Sequence, residues 1–136
     1  MLEHCTLCPR LCGANRNAGE HGFCGADARI RIGLASLHQW EEPCLSGTNG
    51  AGTVFFCHCP LGCVYCQNHD ISGLDADASG ICTDISGLAD TFLSLQQRGA
   101  HNIDLVTPTQ YAAQLTQAIP LARRRGPISP MPFFKV

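Results

Sequence analysis

Three cysteines follow an apolar run in Phe56-Cys57-His58-Cys59-Pro60-Leu61-Gly62-Cys63-Val64-Tyr65-Cys66, at the spacing C-x3-C-x2-C. A 4Fe-4S cluster takes one ligand per iron, so Cys59, Cys63 and Cys66 on one tight loop would leave the fourth iron open to a small molecule. An open iron implies chemistry. Structural zinc wants a closed set of four, which Cys57, His58 or His69 could complete. Structural zinc ligands, however, usually arrive as two separated pairs, which this loop does not supply.

A second set lies near the N-terminus, where Cys5, Cys8, Cys12 and Cys24 sit among Gly, Asn and Arg with little apolar content. The C-x-x-C start favours a metal over unrelated thiols, and zinc and a second 4Fe-4S cluster both fit. Cys44, Cys57 and Cys82 read as buried small hydrophobes, Cys57 facing the same side of an extended chain as Cys59. His58 and His69 flank the loop, either hydrogen-bonding to sulfur or simply solvated. His38, Trp40, Glu41 and Glu42 read as a substrate-facing cluster or a solvated turn.

The elements that must position these residues are legible in outline. Arg29 to Leu34 alternates with period two, as a half-buried strand does, and Thr53 to Cys57 is an unalternating apolar strand covered on both faces. Leu88, Thr91, Phe92 and Leu95 recur at helical spacing, with Asp84 or Ser86 to cap the start and Gly99 to stop it. Ile103 to Thr107 reads as another strand. Tyr111, Leu115, Ala118, Ile119 and Ala122 line a second helix ending in Arg123, Arg124 and Arg125, which suit a helix C-terminus. Pro120 inside it predicts a kink or a break.

With 136 residues, 45% of them hydrophobic and 15% charged, the chain reads as one globular domain. A net charge of -2 and a single lysine, Lys135, give no case for nucleic acid or an anionic membrane as partner. No apolar run reaches the roughly 18 residues of a membrane span, and Met1-Leu2-Glu3-His4-Cys5 is not a secretory start. Ten cysteines then belong in a reducing, cytoplasmic setting.

The loop with Cys59, Cys63 and Cys66, aromatic Tyr65 and the preceding Thr53-Val54-Phe55-Phe56 resembles the radical SAM superfamily. Cys66-Gln67-Asn68-His69-Asp70 is similar to pyruvate formate-lyase activating enzymes. Cys5-x-x-Cys8-Pro9-Arg10-x-Cys12-Gly13-Ala14-Asn15-Arg16, Gly22-Phe23-Cys24-Gly25, Glu41-Glu42-Pro43, Ser46-Gly47-Thr48 and Leu105-Val106-Thr107-Pro108-Thr109 resemble a group labelled as activating-enzyme-like. The resemblance covers residues 5 to about 125.

That resemblance implies a 4Fe-4S cluster on Cys59, Cys63 and Cys66, S-adenosylmethionine as cosubstrate, a 5'-deoxyadenosyl radical and hydrogen abstraction, with a protein glycine as one candidate substrate. It implies Tyr65 against the adenine, Asn68 near the cofactor, and Thr107 and Thr109 where relatives carry a Gly-Gly-Glu segment. An electron donor such as flavodoxin or ferredoxin follows. The implied fold is α/β: a Cys-rich metal-binding segment over 1–45, the first part of an incomplete parallel (β/α) partial barrel over 46–125, and a proline-rich tail over 126–136 that reads as truncated or frameshifted. The alternative is a non-catalytic metal-binding module or an inactive fragment.

Overall fold

Arg29 to Leu34 opens a longer strand than its alternation predicts, β1 (Ile30–His38). The one-turn helix α1 (Pro43–Ser46) follows, then β2 (Ala51–Phe56), buried along nearly its whole length as a central strand must be. The order continues with the one-turn helix α2 (His69–Ser72), β3 (Ile81–Thr83), α3 (Ile85–Gln97), β4 (Ile103–Val106), α4 (Ala112–Arg125) and β5 (Phe133–Lys135). The chain is described here from a computed structural model over residues 1–74, 76, 79–126 and 133–135.

The sheet corrects the expected incomplete parallel partial barrel. Its order is β3-β1-β2-β4-β5, and β1 runs antiparallel to both β2 and β3, while β2, β4 and β5 are mutually parallel. It is therefore a mixed, open sheet. The physical reason lies in the links: a parallel neighbour needs a packed crossover, whereas β1 reaches β2 through a connection holding only the single turn of α1. The β1–β2 register slips between Ile32 and Leu34, leaving a bulge at Gly33. A side chain there would come within 2.9 Å of Ile71 Cγ2 in α2.

Helix α3 starts where Asp84 accepts from the Gly87 N–H at 2.7 Å and buries Leu88, Ala89, Phe92 and Leu95. Gly99, at φ 91°, takes the left-handed conformation just past its end. Helix α4 packs against α3 and buries Leu115, Ala118 and Ala122. Of the expected kink or break at Pro120 it shows no break, the helix continuing across the proline. Pro120 and Thr116 are both exposed, so the carbonyl that loses its donor faces water.

One core joins Ile30, Val54, Phe56, Leu105 and Tyr111 of the sheet side to the buried faces of α3 and α4. The proline-rich stretch of the tail lies outside the described residues; beyond it β5 pairs beside β4, Leu105 opposite Phe134. No helix among the described residues is long and apolar enough to cross a membrane.

Candidate metal centre

Parallel β2 and β4 end on the same edge of the sheet, with Phe55 opposite Val106. The loop after β2 carries the three cysteines, and the loop after β4 carries Thr107, Pro108 and the short 3-10 turn Thr109–Tyr111. The two loops are tied together by Gln110, whose buried Nε2 donates to the carbonyls of Cys57 at 2.9 Å and His58 at 2.7 Å. Gln110 carries no motif, so only the structure reveals this brace. His58, in a left-handed conformation at φ 68°, donates its N–H to the Ile71 carbonyl at 2.6 Å.

Within the loop, the Leu61 N–H points at Cys59 Sγ at 3.5 Å and the Ser72 hydroxyl at Cys66 Sγ at 3.4 Å. The Cys66 N–H closes a turn onto the Cys63 carbonyl at 3.3 Å. Cys63 is exposed, Cys59 and Cys66 are half-buried. Gly62 has left-handed backbone, φ 66°, with open space around it. Among the described residues no group of three or more His, Cys, Asp or Glu side chains is assembled to hold a metal ion. The donor set nonetheless fits an iron-sulfur cluster in its chemistry: three thiols on one loop, two of them already receiving N–H or O–H donors, the contacts that tune a cluster's sulfurs.

The other singled-out residues separate. Thr107 and Thr109 lie at the carboxyl end of β4, and Thr109 lines a cavity of about 370 Å³ with Cys8, Pro9, Arg10, Pro60 and Leu61. Tyr65 is 88% exposed, and no ring pair among the described residues includes it. Asn68 is half-buried at the start of α2, where its carbonyl accepts from Ile71 and Ser72. His69 and Asp70 pair in solvent at 2.8 Å. His58 is buried rather than solvated, its Nδ1 2.9 Å from where a Gly25 side chain would begin. Cys57 is fully buried as expected, but Cys44 and Cys82 are exposed, because α1 is a surface turn and β3 an edge strand. His38 and Glu41 approach to 3.7 Å beside exposed Trp40.

The N-terminal cysteines gather in part. The sulfurs of Cys12 and Cys24 lie 3.4 and 3.5 Å from the one point a Gly22 side chain would occupy. Backbone bonds around Ala14, then Phe23, hold the Cys12 thiol below its ordinary range, whereas burial pushes the Cys24 thiol up. Arg16, only 1% exposed, brings Nη1 to 3.9 Å from Cys5 Sγ, donates through Nε and Nη2 to the Asp27 carbonyl, and reaches the Gln110 carbonyl at 2.6 Å. Burial pushes the Tyr111 hydroxyl upward beneath it. Cys8 instead lines the cavity facing the loop. Arg10 bridges the two cysteine sets, with Nε on the Pro60 carbonyl and its guanidinium 4.1 Å over the Phe23 ring. Both arginines belong to the stretch that carries the resemblance, yet sequence alone gives them no role.

Comparison with known proteins adds little about activity. An uncharacterized protein of Methanocaldococcus jannaschii is 40% identical over 75 residues, which is 53% of this chain. The match spans 20% of that relative's length. No protein-family model matches the chain. No solved structure matches it either.

Proposed function

We propose that this chain is a radical SAM iron-sulfur protein in which Cys59, Cys63 and Cys66 hold a 4Fe-4S cluster with one iron open to S-adenosylmethionine. The observation that carries the reading is the place of the three thiols: a loop leaving the carboxyl end of β2, with donors aimed at two of the sulfurs. Loops at the carboxyl ends of parallel strands are where open α/β sheets bind ligands. When bound and reduced, such a cluster supplies an electron for cleaving the sulfur to C5' bond of S-adenosylmethionine, and the resulting 5'-deoxyadenosyl radical abstracts hydrogen from a substrate, a protein glycine being one candidate.

The chain's own groups hold and orient. Leu61 and Ser72 aim donors at the sulfurs of Cys59 and Cys66, and Gln110 fixes the loop to its neighbour. Thr107, Thr109 and Asn68 offer polar groups for the methionine end, and exposed Tyr65 offers an aromatic face for the adenine. The electron comes from outside, from a donor of the flavodoxin or ferredoxin class. Cysteines that serve as metal ligands need a reducing compartment, so this reading places the chain in the cytoplasm.

The test is anaerobic reconstitution of the full chain with iron and sulfide, followed by EPR of the reduced protein with and without S-adenosylmethionine. The expected result is a 4Fe-4S signal that changes on addition and vanishes in the Cys59→Ser, Cys63→Ser, Cys66→Ser triple variant. A signal indifferent to S-adenosylmethionine, or iron retained by the triple variant at the wild-type ratio, overturns the reading. Uptake of zinc alone in this loop would leave a non-catalytic metal-binding module.

A further inference from the structure

Between residues 1 and 28 the only buried apolar side chains are those of Cys5 and Ala26, too little to hold a folded segment. Yet this stretch is closely wound. The Cys5 N–H bonds the Ala14 carbonyl at 3.1 Å, the Gly13 N–H returns to Cys5 at 3.0 Å, and the Leu11 N–H turns onto Cys8 at 3.1 Å. Leu11 is held at φ 45°, which a leucine rarely adopts without something to enforce it. A second turn, Gly25 N–H onto Gly22 and Gly22 N–H onto Ala26, presents Cys24 to the first.

We propose that Cys5, Cys8, Cys12 and Cys24 bind a single tetrahedral zinc ion that staples the N-terminal segment and holds it against the three-cysteine loop. The two windings bring their sulfurs toward each other: Cys12 from the first and Cys24 from the second both lie in van der Waals reach of the point where a Gly22 side chain would begin, at 3.4 and 3.5 Å. Four sulfurs at about 2.3 Å from one zinc stand about 3.8 Å apart, which is contact distance, whereas cluster ligands sit on separate irons and stand further apart. Cys8 lies in the same closed winding between Cys5 and Cys12, tied by the Leu11 N–H to its carbonyl, and is the fourth ligand of the proposed site. Four thiolates around zinc carry a net charge of -2, and buried Arg16 beside Cys5 offsets part of it. A closed set of four leaves no open position, so this ion is structural. Arg10, in the same winding, carries its effect to Pro60 and Leu61.

The experiment uses the full chain carrying Cys59→Ser, Cys63→Ser and Cys66→Ser, which removes the loop site and makes the outcome independent of the radical SAM reading. Titrated with cobalt, it should bind one equivalent with thiolate-to-cobalt charge-transfer absorption, and adding Cys12→Ser and Cys24→Ser should abolish it. Should those added changes prevent folding, a second measurement needs none of them. Zinc should slow iodoacetamide labelling of Cys5, Cys8, Cys12 and Cys24 by about tenfold or more while exposed Cys44 and Cys82 label as before. Cobalt binding that survives the added changes, labelling indifferent to zinc, or iron and sulfide in that segment of anaerobically isolated protein would each overturn the proposal.

Discussion

Arg10 donates from Nε to the carbonyl of Pro60 at 3.1 Å, and from Nη2 to Leu61 at 3.3 Å, joining residues fifty apart in the chain. The guanidinium is thus a two-pronged clamp between the N-terminal winding and the cysteine loop. Arg10→Ala should cost about 1 kcal/mol of global stability, since one of these bonds is exposed and the other only part-buried. Its local effect should be larger: Cys59 and Cys66 should react faster with iodoacetamide in the metal-free chain. Lysine should not restore protection, because its ammonium lacks the planar, pre-organised fork and the stacking over Phe23. Unchanged labelling in Arg10→Ala would mean that the clamp does not order the loop.

Buried Arg16 has a heavier role. Replacing it with methionine keeps the volume but strips donors from the carbonyls of Asp27 and Gln110, so urea unfolding should show a loss of about 3 kcal/mol or more. Arg16→Lys should recover only part. A loss under about 1 kcal/mol would show that water replaces the guanidinium.

Two glycines with left-handed backbone make a controlled pair. At Gly62, φ 66°, alanine meets nothing and should cost only the conformational penalty of about 1–2 kcal/mol. At Gly25, φ 86°, it would stand 2.9 Å from His58 Nδ1 and 3.2 Å from the Leu74 backbone, so the steric cost adds to the same penalty. Gly25→Ala should therefore be the more destabilising by roughly 2 kcal/mol in thermal or urea melts. Equal effects would place the cost in φ alone.

Asp27 gives a pH signature. Burial pushes its carboxyl up, but the hydrogen bonds and charge of Arg29, with Arg31 behind, outweigh burial and hold it below its ordinary value. A group depressed in the folded state contributes stability above its unfolded pKa and loses it as pH falls through the folded one. Asp27→Asn should thus be destabilised by about 1 kcal/mol at neutral pH, the share from largely exposed Arg29 being screened, and the gap should close below about pH 4. A gap constant from pH 3 to 7 would contradict the assignment.

Much of the scaffold is legible in local chemistry. Asp84 and Gly99 bracket α3 because capping and left-handed stops are local, and the apolar run of β2 announces its burial. Strand direction is not local: Arg29 to Leu34 alternates identically whether β1 runs parallel or antiparallel, so the mixed sheet was hidden. β3 was hidden too, being three residues inside a polar connection. At the site, cysteine spacing marks the loop, but the burial of His58 and the reach of Gln110 and Arg16 depend on partners dozens of positions away.

The bond from Arg16 to Gln110 spans 94 positions. During synthesis at about 5–20 residues per second, Arg16 waits roughly 5–20 seconds for that carbonyl to be made. For that interval Cys5, Cys8, Cys12 and Cys24 have left the ribosome before the structure that would shelter them exists. The nascent N-terminus is thus a stretch of open thiols, reactive toward whichever partner or oxidant reaches it before Gln110 is made.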